Sequence, residues 1–192
     1  MAELVPVPLH ALLRRAFHEH RRRGAIFDLP ERTFHRAQGG TAPAIDLSVA
    51  HAGARAGNPI GPAAGPHTQL AQNIALGWLA GARIFELKTI QVNDRLPLSR
   101  PCIDMATVGY NTEWSQELRL DESLREYVKA SMIVEILGAS GVLEGVRDSG
   151  FGIRDSSVTP PDSFVFDISV GYDLAGVRSP AVVSWLESMR DA

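Results

Sequence analysis

Cysteine is nearly absent from this chain. Cys102 is the one thiol among 192 residues, which excludes an internal disulfide and a cysteine-rich zinc site. It also excludes an iron–sulfur cluster held by this chain alone, because such clusters want about four thiolates. Positive charge is not in excess either. The formal net charge is −3, so no global field favours nucleic acid. No apolar run approaches the roughly 18 residues of a membrane span, and no membrane partner is expected. The opening stretch, MAELVPVPLHALLRRAF, lacks the apolar core and small-residue cleavage site of a secretory signal. The cytoplasm is the expected compartment. Internal repeats and low-complexity tracts are missing too.

What remains is an ordinary globular composition, 45% hydrophobic and 21% charged, sufficient for one domain with a sizeable core. A complete eight-stranded α/β barrel typically needs about 250 residues, so this chain is short for one. The spacing predicts a first helix over residues 7–23, with Pro8 in its first turn, Gly24 beyond its end and Leu9, Leu12, Leu13, Ala16 and Phe17 on one stripe. Arg14, His18, Arg21 and Arg22 fall on the other side, as a solvated face or a phosphate-binding stripe. His18 and His20 are two apart, about 200° around a helix, and cannot share a metal ion.

A short strand is expected over residues 44–49, and a second helix over 68–80, with Leu70, Ile74 and Trp78 every four residues. A mostly buried strand over 82–90 follows, then a polar loop over 91–120 and a helix over 122–137. A Gly/Ser/Asp/Pro-rich loop at 145–161 leads into a strand over 163–169 and a final helix opened by Ser179 and Pro180. Strands alternating with helix-length crossovers predict parallel strands in an α/β fold. An α/β sheet of three or so strands is unusually small, so the pattern is expected to be cut from a larger one.

Three features fall where parallel strands end, the usual place for ligands in α/β folds. GPAAG, residues 61–65, follows Asn58-Pro59-Ile60. Its small residues allow a flat ring or a phosphate to approach the backbone, where free N–H groups can donate; it is equally a structural turn. In Glu86-Leu87-Lys88-Thr89, strand alternation sends Glu86 and Lys88 to one face and Leu87 and Thr89 to the other. Two charges in so apolar a strand need a partner, a ligand or each other. Asn111, in GYNTEW, sits beside two aromatics in a loop, as a ligand group or a turn cap.

In this order the motifs resemble a known family. The stretch from GNPIGPAAGPHTQLAQNI through ELKT, PCID and NTEWS looks like the start of a dihydroorotate-dehydrogenase-like flavin barrel. It is most similar to the version in the large bacterial selenate reductase subunit proteins, relatives of dihydropyrimidine dehydrogenase. The similarity runs from about residue 8 to the end and is weakest over 32–56 and 145–161. SVGYDL belongs to the closer family as well, whereas the Asn-Pro with its small-residue turn is shared more widely.

The resemblance implies an α/β fold, the N-terminal part of a (β/α)₈ TIM-type barrel that is incomplete in this chain. Residues 1–56 would form a helix and an extension, and residues 57–192 the first strands and helices of the barrel. It implies FMN as cofactor, with the backbone of Ala63, Ala64 and Gly65 against the flavin, Lys88 hydrogen-bonding its ring and Thr89 as a neighbouring hydroxyl. Asn111 would touch a small-molecule substrate, a heterocycle or oxyanion. Ser169 and Gly171 would also face the pocket. The family's acid/base cysteine or serine lies beyond Ala192, and Cys102 precedes its place. The phosphate-binding loops, the remaining barrel strands and the FAD, NADPH and iron–sulfur modules lie outside these residues. The chain alone is therefore expected to be inactive, with the remaining barrel or a redox subunit as its partner. The alternative is a non-catalytic remnant that acts by docking onto a chain completing the barrel.

Overall fold

The computed structural model describes residues 4–35, 45–92, 118–142, 163–171 and 173–191, and places 103–104 and 110–111 by their backbone. The expected loop at 145–161, Cys102, and most of GYNTEW lie outside the described residues. Helix α1 (Leu9–Arg23) starts after Pro8 and stops at Gly24, whose φ of 58° is the left-handed conformation that ends helices. Arg14, His18, Arg21 and Arg22 are all exposed, as a solvated face should be. Strands β1 (Ala25–Ile26) and β2 (Leu29–Pro30) then form a hairpin. Its turn puts Phe27 and Asp28 at φ of 49° and 65°, which costs energy for a bulky residue. Glu19 of α1 holds the turn by accepting from the Asp28 amide at 2.9 Å, while Arg15 and Arg23 donate to the Asp28 carboxylate at 2.7 and 3.0 Å.

A second hairpin joins β3 (Val49–His51) to β4 (Ala54–Ala56). The strand expected at 44–49 thus begins only at its last residue. Asp46 accepts from the Ser48 amide at 2.8 Å, and such local side-chain bonds compete with extended pairing. After a 3₁₀ turn at Pro66–Gln69, helix α2 (Ala71–Leu79) replaces the longer helix expected from 68, because Leu70 is extended. Strand β5 (Ile84–Glu86) follows. The connection expected to be a loop contains a short antiparallel hairpin of β6 (Ile103–Asp104) and β7 (Tyr110–Asn111). Helix α3 (Leu120–Ala139), strand β8 (Val165–Asp167), the single turn α4 (Leu174–Val177) and helix α5 (Pro180–Asp191) complete the order.

Residues 58–62, β5 and β8 lie side by side in chain order. β5 and β8 are parallel, with Ile84, Phe85 and Glu86 opposite Val165, Phe166 and Asp167. On the other side of β5, the Ile60 carbonyl accepts from the Arg83 and Ile84 amides and the Pro62 carbonyl from Glu86, at 2.8 to 3.2 Å. That is one side of a parallel ladder. Pro62 has no N–H to return to the Ile84 carbonyl. The chain closes the gap by close approach at Gly61, where a Cβ would stand 1.4 Å from the Ile84 oxygen. Only a glycine hydrogen fits there. Asn58 fixes the entry to this segment, donating to the Gly81 carbonyl at 3.0 Å and accepting from the Ile60 amide at 2.9 Å. Helices α2 and α3 supply the crossovers, so the expected parallel α/β alternation is present. Among the described residues no strand closes the sheet into a ring.

The core lies on the helix side of this sheet. Phe85, Leu87 and Ile90 are buried there with Ala71, Ile74, Ala75 and Trp78 of α2 and Ile133, Val134 and Leu137 of α3. Phe164 and Phe166 meet Phe85 edge-on at 6.3 and 6.0 Å, a favoured aromatic geometry. Leu12 and Ala16 of α1 belong to the same cluster, as do Val182 and Trp185 of α5. Glu126 of α3, 1% exposed, accepts from the Ala71 amide at 2.8 Å. A carboxylate at a helix N-terminus satisfies an otherwise orphaned donor and complements the helix dipole.

Gly61→Ala tests this arrangement. The added methyl meets backbone rather than a movable side chain, so the expected loss is about 2–3 kcal/mol or more. Thermal denaturation should show a midpoint lower by roughly 5–10 °C; a change within about 1 °C would mean the strands are not this close.

Candidate functional site

The site is built on the carboxyl ends of residues 58–62, β5 and β8. Beyond Glu86 the parallel register slips. Glu86 is opposite Asp167, yet Ile90 is opposite Val170, so four steps on one strand face three on the other. The extra residue is a bulge, a feature that re-aims side chains at strand ends. The Leu87 amide still donates to Asp167 at 2.9 Å, and ladder bonding resumes when the Ile90 amide reaches Ser169 at 3.1 Å. Between them, Lys88 and Thr89 share the irregular stretch.

This overturns the simple alternation expected for ELKT. Glu86 is exposed, while Lys88 is buried at 5% exposure, so the two charges do not share one environment. Thr89, expected to face with Leu87, instead hydrogen-bonds the Ser169 hydroxyl at 2.9 Å across the two strands. Leu87, 1% exposed, stays in the core. The strand expected over nine residues, 82–90, is regular over three, Ile84–Glu86, and the bulge accounts for its early end.

The small-residue turn and the ELKT strand do come together. The Ala64 amide donates to the Glu86 carboxylate at 3.1 Å, beside the Glu86 to Pro62 ladder bond. Lys88 and Thr89 begin two residues further on. The turn is not a free cradle of donors, however. Its Gly65 amide donates to the Thr68 hydroxyl at 3.2 Å, and that hydroxyl donates back to the Gly65 carbonyl at 3.0 Å. With the amides of Ala64 and Gly65 engaged internally, what the turn offers a ligand is the bare surface of Ala63 and Ala64. Gly65 itself is buried.

Asn111 lies in β7, paired with Ile103, and not in a loop. Ser169 and Gly171 lie beyond the end of β8, where the Gly171 amide donates to the Ile90 carbonyl at 2.8 Å. Two contributors were not legible in sequence. His51, from the β3–β4 hairpin, places its Nε2 3.1 Å from the Asp167 carboxylate. That contact spans 116 residues and leaves no local pattern. Tyr127 of α3 reads as an apolar-stripe residue, yet its hydroxyl donates to the Lys88 carbonyl at 3.1 Å. Among the described residues no cluster of His, Cys, Asp and Glu is placed to hold a metal ion, and no helix is long and apolar enough to cross a membrane.

The matching family model is that of the YgfK oxidoreductase N-terminal TIM-barrel domain, over residues 27–192. The chain belongs to this family. It is 41% identical over 187 residues to the protein named "Putative oxidoreductase YgfK" in Escherichia coli K12, and equally so to its counterpart in Escherichia coli O157:H7. These matches cover 97% of this chain but 16% of each relative, so the chain spans about a sixth of their length. No solved structure matches it. The partial parallel sheet is thus a portion of an oxidoreductase TIM-barrel domain, and residues 27–56, part of the expected extension, fall inside the matched region.

Tyr127 gives the site a pH signature. Burial, with the Glu126 carboxylate beside it, pushes the phenol well above its usual range. The unfolded chain releases that proton near pH 10 while the folded chain keeps it. Stability is therefore fully present below about pH 10 and falls as pH rises above it. Tyr127→Phe should cost about 1 kcal/mol at neutral pH through the lost hydrogen bond and flatten the alkaline loss. Urea denaturation near pH 8 and pH 10.5 would show this; equal alkaline slopes in both proteins would remove Tyr127 from the account.

Proposed function

We propose that this chain forms the flavin-contacting first third of the barrel of a flavin-dependent oxidoreductase, with FMN as the group it contacts. The observation that carries the reading is the hydrogen bond from Ala64 to Glu86, which joins the small-residue turn to the strand that continues into Lys88. A flat ring needs a wall without bulky side chains, and Ala63 and Ala64 supply one, with the buried Gly65 shaping the turn behind them. It also needs charge complementarity where electrons arrive, and Lys88 lies in the bulge two residues past the end of β5. Flavin, when bound, supplies hydride or electron transfer at its N5. A lysine beside the ring favours the reduced, anionic form. The Thr89–Ser169 pair would line the adjacent wall, with Asn111 on the substrate. The residues fit the group on two counts, the exposed small-residue surface and the polar strand ends. They offer no phosphate grip, which in such barrels belongs to later strands.

The substrate class implied is a small heterocycle or an oxyanion such as selenate. FAD, NADPH and iron–sulfur chemistry would belong to the rest of the larger protein, in the cytoplasm. A docking role is the second reading, favoured by the three-stranded sheet that the described residues leave unclosed: the chain would then act only with a partner that completes the barrel.

Two substitutions, made in a polypeptide that joins this chain to the rest of its barrel, separate these roles. Lys88→Ala should weaken FMN retention about tenfold or lower the flavin's reduction potential, read by absorbance titration; unchanged content and potential would exclude Lys88. Asn111→Ala should reduce turnover about tenfold with flavin retained. Loss of both together would make Asn111 a support of the fold.

A further inference from the structure

The bulge after β5 is held from two directions. Leu87 and Ile90 keep their ladder bonds to the neighbouring strand, their amides donating to the carbonyls of Asp167 and Ser169 at 2.9 and 3.1 Å. Lys88 and Thr89 stand between them, where a regular parallel strand would hold one residue. Thr89 is tied to Ser169 through their hydroxyls at 2.9 Å. Lys88 is tied to the helix layer, because its carbonyl accepts from the Tyr127 hydroxyl of α3 at 3.1 Å. Carbonyls of a regular strand pair with neighbouring strands, whereas this one is engaged by a helix side chain.

The donor is itself fixed. Tyr127 is 1% exposed, and its ring meets Trp185 of α5 edge-on at 6.0 Å. The Trp185 indole in turn donates to the Leu120 carbonyl and the Ser123 hydroxyl at 3.0 and 3.2 Å. Beside Tyr127 in the helix, Glu126 is bonded to the Ala71 amide and to Lys129. Burial and the neighbouring Glu126 charge also keep the phenol protonated far into the alkaline range.

We infer that Tyr127 is a positioning residue for Lys88, setting how the lysine is presented to the flavin, an inference that rests on the flavin reading above. The peptide unit is planar, so holding the Lys88 oxygen fixes the Lys88–Thr89 peptide. The Lys88 Cβ is then one dihedral away, and the Thr89–Ser169 pair steadies the other end of the same peptide. Without the hydroxyl, that peptide is free to rotate within the bulge, and the lysine moves with it. Stabilisation of a reduced ring by a charge depends on the distance and direction of that charge. Tyr127 therefore acts through Lys88.

The midpoint potential of bound FMN reads the ratio of affinities for its reduced and oxidised forms, and a cycle of two substitutions assigns the effect. In a polypeptide that joins this chain to the rest of its barrel, Lys88→Met should lower that ratio about tenfold, and Tyr127→Phe about threefold. In the Lys88→Met background, Tyr127→Phe should change it by less than about 1.5-fold, since no lysine is left to position. Ile133→Val, a core change on α3 with a stability loss of about the same size, should leave the ratio unaltered. A ratio that ignores Tyr127→Phe while falling in Lys88→Met, or a threefold fall that persists in the double variant, would overturn the proposal. So would an equal fall in Ile133→Val. No response to Lys88→Met would instead refute the flavin reading, and the positioning role with it. If Tyr127→Phe does not accumulate, 4-fluorophenylalanine in place of Tyr127 fills the hydroxyl's space without donating and reads the same outcomes.

Discussion

The structure depends on how closely residues 58–62 approach β5. Pro62 removes the amide that a regular parallel ladder would supply to the Ile84 carbonyl, and Gly61 brings its Cα against that oxygen in compensation. Everything downstream is referred to this contact. It sets the small-residue turn beside Glu86, allows the Ala64 amide to reach the carboxylate at 3.1 Å, and fixes where the first crossover helix lies. A Cβ at residue 61 would separate the strands, and the turn would leave the strand end it now abuts.

From that contact the sheet builds outward in two layers. Its helix side is apolar and aromatic, with Phe85, Leu87, Ile90, Phe164 and Phe166 packed under α2 and α3. Its other side and its carboxyl ends are polar, with Glu86, Asp167 bonded to His51, and Thr89 bonded to Ser169. The bulge after Glu86 lets one strand serve both demands. It returns Ile90 to the core while leaving Thr89 to meet Ser169. Membership of an oxidoreductase TIM-barrel family accords with a polar rim at strand ends, and the flavin reading extends that rim to a specific ligand.

The helices were legible in sequence because their signals are local. The Leu12 and Ala16 stripe, Gly24 as a stop and Ser179-Pro180 as a start each depend on a few neighbouring residues, and α1 and α5 fall where those signals put them. The order of parallel strands was legible for the same reason. The short strands were less so. The nine-residue stretch expected to be a mostly buried strand gave three residues of regular strand, since hydropathy does not encode a register slip set by a partner 81 residues away. The site was half legible. The turn and the ELKT strand could be paired by resemblance, and the structure brings them together. That the Ala64 and Gly65 amides are occupied by Glu86 and Thr68 could not be read, because both bonds depend on the folded path. His51 and Tyr127 reach the site from distant elements, which no spacing rule detects.

The central claim is that the surface of Ala63 and Ala64 and the strand end carrying Lys88 face one flat ligand. An experimental structure of the polypeptide containing the whole barrel, crystallised with FMN, tests it most directly. The account predicts the isoalloxazine edge in van der Waals contact with Ala63 and Ala64 and within hydrogen-bonding reach of Lys88. A flavin bound at the other rim of the barrel, or touching one of these elements without the other, would contradict it.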